Sequence, residues 1–233
     1  MSQRSKIESK KSPQVAVITG DIINSQAIES KVDWYSELQS RLSRFGNSPK
    51  DWQLYRGDSF QLVSYQPEKA LQIALTLKAA LKQYKELDVR MAIGIGSIEH
   101  HRDQVLQSSG EAFVNSGRKF DSLKKQTLAL KTPWKEFDET ISLLINLALL
   151  TIDHWAETSA EVVLARLEHP ETTQKDIAAL LSIPQSRVSE RLSRAGYGPI
   201  MDAERYYRQT ISEKLLARDC CPETNKKQLM NNS

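Results

Sequence analysis

The chain has 233 residues, enough for one large domain or two small ones, and its 39% hydrophobic and 26% charged residues allow a sizeable buried core. No stretch reaches the ~20 apolar residues that cross a bilayer, and the polar N-terminus lacks the apolar region of a secretory signal. The formal charge is +3, and the first eleven residues hold all of it (Arg4, Lys6, Lys10 and Lys11 against Glu8), so a nucleic-acid surface must rest on local charge.

In chain order, residues 1–12 are polar and aperiodic and read as a disordered tail. Val15, Ala16, Val17, Ile18 and Thr19 form an apolar run, predicting a strand buried on both faces that ends at Gly20-Asp21. Trp34, Leu38, Leu42 and Phe45 recur at helical spacing, which predicts a helix over 31–45 stopped by Gly46. Short strands are expected at 52–55 and 59–65, joined by a hairpin turn at Arg56-Gly57-Asp58. Pro67 opens a helix whose apolar face includes Ala70, Ile73, Ala74 and Leu77. A strand at 89–98, a helix at 110–123 and a strand at 127–130 follow. This order predicts an α+β architecture: a ferredoxin-like βαββαβ domain over 13–132 with an extra helix and strand.

From Pro133 onward the pattern is helical, with segments at 137–155, 162–167, 175–181, 185–195 and 202–216. It predicts a connecting helix within 133–158, an all-α helix-turn-helix domain over 159–218 and a flexible tail over 219–233. Leu143, Leu144, Leu147, Leu150 and Ile152 make the long helix apolar around much of its circumference. Such a helix is expected to pack between the two parts or against a second copy, giving a homodimer. Cys220 and Cys221 are adjacent, cannot staple distant segments, and read as reduced thiols of a cytoplasmic protein with no membrane partner.

Asp21 closes the first predicted strand and Asp58 opens the third. In the expected sheet these strands are antiparallel neighbours, so two carboxylates meet at one sheet end. Hard oxygen ligands suit Mg²⁺ or Mn²⁺, and Mg²⁺ usually keeps waters and takes substrate phosphates. Each Asp follows a glycine, Gly20 or Gly57, which leaves room for a phosphate or backbone to approach. Turn chemistry alone also favours Asp at such positions.

The segments ITGDIINS, YRGDSFQLV, VRMAIGIGS and SGEAFVNSGRKF, in this order, resemble the SatD family and a divergent class III nucleotide cyclase domain, over about residues 14–131. The resemblance implies metal ions held by Asp21 and Asp58, with the Ile22 carbonyl as a further ligand. It also implies a later helix offering Asn and Arg to a nucleoside triphosphate. Arg118 stands at the Arg position; Val114 occupies the Asn position and Asn115 comes one residue late. Leu54 stands where adenylate cyclases carry a base-recognising Lys. Phosphoryl chemistry must neutralise a departing pyrophosphate, and Asp21, Asp58 and Arg118 would supply part of that. Arg56 and Arg90 are further candidates, with a plain ion pair as the alternative. Gly94 and Gly96 imply close packing, and His100, His101 and Asp103 read as a solvated loop.

TQKDIAALLSIPQSRVSERLSRAG, residues 173–196, resembles a helix-turn-helix. Ile177, Leu181, Ile183, Val188 and Leu192 would form its core, Ser182 stands where Gly is usual in the turn, and Pro184 starts the second helix. Gln185, Ser186, Arg187, Ser189, Glu190 and Arg191 would face outward, the first of them into a major groove. Lys175 and Arg194 would touch phosphate. A packing or dimerisation hairpin is the alternative. Residues 196–199 are expected to end the second helix. Together these readings predict a cytoplasmic regulator pairing a metal- and nucleotide-binding domain with a DNA-binding module. An active nucleotidyl cyclase and a non-catalytic interaction protein are the alternatives.

Overall fold

The computed structural model describes residues 12–25 and 31–220. The expectations for the tails at 1–11 and 221–233, and for the thiols of Cys220 and Cys221, fall outside the described residues and side chains. The first part of the chain forms β1 (Gln14–Ile23), α1 (Lys31–Ser43), β2 (Trp52–Tyr55), β3 (Ser59–Ser64), α2 (Ala70–Leu81), β4 (Asp88–Ser97), α3 (Glu111–Asp121) and β5 (Leu128–Lys131). One five-stranded sheet results, in the order β2-β3-β1-β4-β5, with β5 parallel to β4 and the other pairs antiparallel. Then come α4 (Lys135–Ile152), α5 (Glu157–Glu168), α6 (Gln174–Leu180), α7 (Gln185–Arg194) and α8 (Tyr197–Cys220). The expected α+β class is the one the chain adopts, with five strands and eight α-helices among the described residues.

Side-chain alternation along β1 sorts the molecule into two layers. Ala16, Ile18 and Ile22 enter the main core with Trp34 and Leu38 of α1 and Leu77 and Leu81 of α2. Val15 and Val17 point the other way, to Ala112 and Phe113 of α3. α3 can lie this close because β4 carries glycines there. A Cβ on Gly94 would sit 2.2 Å from the Ser116 nitrogen, and one on Gly96 2.7 Å from the Ala112 nitrogen. The close packing expected of these two glycines is thus a helix pressed onto the sheet.

The helical part shares the main core. Phe137, Ile141, Val163, Ile177, Leu192, Tyr207 and Ile211 belong to the same contiguous cluster as Ile18 and Trp34. Two polar ties fix it: the fully buried Tyr207 hydroxyl donates to the Pro67 carbonyl at 2.5 Å, and Trp155 Nε1 donates to the Ala195 carbonyl at 2.9 Å.

Two sequence expectations need correction. β1 does not end at Gly20-Asp21; it continues to Ile23, because β4 stays opposite it through the pairs Asp21↔Arg90, Ile22↔Val89 and Ile23↔Asp88. The last helix, α8, starts at Tyr197 rather than at residue 202. Gly196, at φ 62, already makes the break, and Pro199 lies in a first turn where a missing N–H leaves no helical bond unmade.

Candidate functional site

The Asp21 end of the sheet is built by register. Asp21 lies opposite Ser59 on β3 and Arg90 on β4, and the Ile22 N–H donates to the Asp58 carbonyl at 3.0 Å. Asp21 and Asp58 therefore share one sheet end, as expected. Arg90 holds the Asp21 carboxylate with both arms, Nε at 3.1 Å and Nη2 at 2.6 Å, and its guanidinium lies 5.1 Å above the Phe120 ring. That bidentate bond raises the Arg90 pKa further. The plain ion pair weighed for Arg90 is the arrangement found. Asp58 accepts from the Ser25 hydroxyl at 3.0 Å.

The turn before Asp58 has left-handed residues at both Arg56 (φ 55) and Gly57 (φ 91), which suits the twist of a tight hairpin. Space around Gly57 is open, whereas the Cβ position at Gly20 is filled by the Phe60 ring at 2.6 Å. The Arg90 carbonyl also lies 3.0 Å from that position, so Gly20 admits a ring and a backbone, the second of the two approaches expected of it. Arg56 is exposed and lies 6.0 Å above the Tyr55 ring. Burial raises the Tyr55 pKa; Arg56 opposes this, while Asp21 and Asp121 add to it, so these charges gather at one corner. Arg118 is exposed and has no ion pair among the described residues. Asn115 Nδ2 donates to the Ile95 carbonyl at 2.8 Å, so its amide ties α3 to β4.

A cavity of about 370 Å³ adjoins Asp21 and Arg90 and is lined also by Lys124, Lys125 and Thr127. The sequence reading missed the two lysines. Their signal was a bare basic doublet after α3, and only the parallel placement of β5 beside β4 brings it to Asp21. Among the described residues no three His, Cys, Asp or Glu side chains converge on one point.

The second set of candidates lies on α6 and α7. Thr173 and Asp176 form a reciprocal capping box at the start of α6, which lowers the Asp176 pKa through its bonds to Thr173. Ser182 takes φ 54, the left-handed conformation for which glycine is the usual choice. Val188 and Leu192 are buried, while Lys175, Gln185, Ser186, Arg187 and Ser189 are exposed. Glu190 pairs with Arg187 at 2.9 Å and Arg194 at 2.5 Å. Arg191 departs from its expected outward role: its side chain is 19% exposed and bonds Glu161 of α5 at 2.8 Å. His100, His101 and Asp103 are exposed, as expected of a solvated loop, and His101 Nε2 lies 3.0 Å from the Tyr65 hydroxyl.

A comparison with protein-family models matches the model described as SatD family over residues 14–201. No curated protein matches the chain.

Proposed function

We propose that this chain, which belongs to the SatD family, is a cytoplasmic DNA-binding regulator whose sheet part is a ferredoxin-like, cyclase-like domain that binds a divalent cation with a nucleoside triphosphate. The observation that carries the reading is the α6–Ser182–α7 hairpin. Its left-handed Ser182 and buried Val188 and Leu192 support a helix-turn-helix, and they leave Gln185, Ser186, Arg187 and Ser189 facing solvent. Glu190 neutralises part of the Arg187 and Arg194 charge, so binding requires these pairs to open toward phosphate and bases. The test is a mobility shift on genomic fragments at two salt concentrations. Arg187→Ala is expected to weaken specific binding by ~1–3 kcal/mol. Lys175→Ala is expected to weaken all sequences alike. If no fragment binds better than random DNA and Arg187→Ala changes nothing, the hairpin serves packing instead.

For the sheet part, Asp21, Asp58 and the Ile22 carbonyl would hold Mg²⁺ or Mn²⁺, a cation that screens phosphate charge when bound. Arg56, Arg118, Lys124 and Lys125 would meet the phosphates, and Arg90 would hold Asp21 in place. Binding is favoured over turnover because Val114 stands at the Asn position, and Asn115, one residue late, gives an amide N–H to the Ile95 carbonyl. Triphosphate binding that needs Mn²⁺ and is lost in Asp21→Asn supports this reading, and release of pyrophosphate would favour the cyclase alternative. A homodimer is the further proposal, supported by the exposed Leu143, Leu147 and Leu150 of α4.

A further inference from the structure

We propose that the cleft at the sheet end remote from Asp21 binds a small aromatic anion. β3 runs away from Asp21 and ends at Ser64, opposite Ala16 near the start of β1. There Arg44 and Phe45 after α1, Tyr65 after β3, Lys69 before α2, and Leu167 at the end of α5 enclose a cavity of about 580 Å³. That volume falls within the range of small-molecule sites, and the site lies where several elements meet.

The chemistry of the walls selects the ligand. Phe45, Ile73 and Leu167 make an apolar floor. Tyr65 leaves 49% of its surface exposed yet is fixed: its ring meets His101 edge-on at 5.8 Å, and its hydroxyl donates to Asp51 at 3.3 Å. An exposed aromatic ring that cannot swing away is a platform for another flat ring. Charge at the rim is positive. One oxygen of Glu168 serves both Arg41 and Arg44, and Arg44 remains 53% exposed. Lys69 is exposed and has no ion pair among the described residues. The cations lining the cleft, Arg44 and Lys69, therefore outnumber its one carboxylate, Glu168, while Arg41 outside the lining also pairs with Glu37. The side-chain amides of Gln66 and Gln72 also line the cleft, with no hydrogen bond among the described residues. A body of one or two fused rings bearing a single carboxylate or phosphate satisfies both sets of groups.

Calorimetric titration of the full chain with 2-naphthoate, neutral 2-naphthamide and inorganic phosphate tests this. One saturable site for naphthoate is expected, with naphthamide bound about tenfold more weakly and no measurable binding of phosphate alone. Lys69→Gln is expected to weaken naphthoate about tenfold, Gln72→Trp to fill the cleft and abolish binding, and Lys135→Gln, at an exposed lysine of α4, to change nothing. Lys69 is exposed, so that variant decides the matter even should Gln72→Trp misfold. No saturable binding, equal affinity for naphthoate and naphthamide, or indifference to Lys69→Gln would overturn the proposal.

Discussion

Gly94 and Gly117 belong to the same sheet–helix contact and predict opposite outcomes. A Cβ at Gly94 meets the backbone of α3, at 2.2 Å from Ser116 and 2.3 Å from Ala112, whereas one at Gly117 meets nothing within 4 Å. Gly94→Ala is expected to destabilise by ~3 kcal/mol, since backbone cannot yield as a side chain can. Gly117→Ala is expected to stabilise by ~0.5–1 kcal/mol by improving helix propensity. Urea unfolding measures both. Lys78 is fully buried and holds Asp88 at 2.7 Å, Asp153 at 3.0 Å and the Thr127 hydroxyl at 2.9 Å. Lys78→Met removes the cation and leaves the Asp88 carboxylate to Lys82 alone and that of Asp153 without its cation, with an expected loss of ~3–5 kcal/mol in the same assay.

Glu204, 1% exposed, has one oxygen without a partner, and its other oxygen is 3.6 Å from Arg208. Burial raises its pKa against the pull of Arg208 and Arg205. The folded chain thus holds this proton more tightly than the unfolded chain. The group's contribution is fully present below the ordinary carboxylate pKa and is lost as pH rises through the raised one. Glu204→Gln is expected to raise Tm by a few degrees at about pH 8, with the gain vanishing near pH 4. A gain unchanged with pH in thermal scans would contradict this account.

At the scale of elements, α4 divides into two faces. Phe137, Ile141, Ile145, Leu149 and Ile152 are buried, with β5 and α8 as neighbours. Leu143, Leu147 and Leu150 are 60%, 56% and 72% exposed, at the i, i+4, i+7 spacing of one stripe. Light scattering is expected to find a concentration-dependent dimer that Leu147→Glu converts to monomer. A wild-type chain that is monomeric throughout would remove the proposed homodimer. α7 shows the converse arrangement, with two buried apolar residues and a polar outer face, and only Arg191 is drawn inward, by Glu161 of α5.

At the scale of the molecule, one apolar cluster runs from Ala16 of β1 to Ile211 of α8. Lys78 adds a polar clasp from α2 to Asp153 at the end of α4, and Tyr207 adds another to Pro67. Sheet and helices sharing a core this way are expected to unfold together. Calorimetry should give a single transition with equal van't Hoff and calorimetric enthalpies. Two resolved transitions would mean that the helical part melts as an independent unit.

The sequence by itself determined the elements and their order, because hydrophobic period and turn residues are local. The apolar run from Val15, the Trp34–Leu38–Leu42 spacing, the Arg56-Gly57 turn and the Ser182–Pro184 break each appear where local chemistry puts them. Asp21 and Asp58 were also legible as sharing a sheet end, since the strand order follows from the element order. Only the tertiary structure decided what each side chain touches. Nothing near Asp21 in the chain announces Arg90, and nothing near Arg191 announces Glu161. Those partners are set by strand register and helix docking over separations of 30 to 69 residues. The cleft under Tyr65 was illegible for the same reason, being formed by segments from α1, β3, α2 and α5 that share no local pattern.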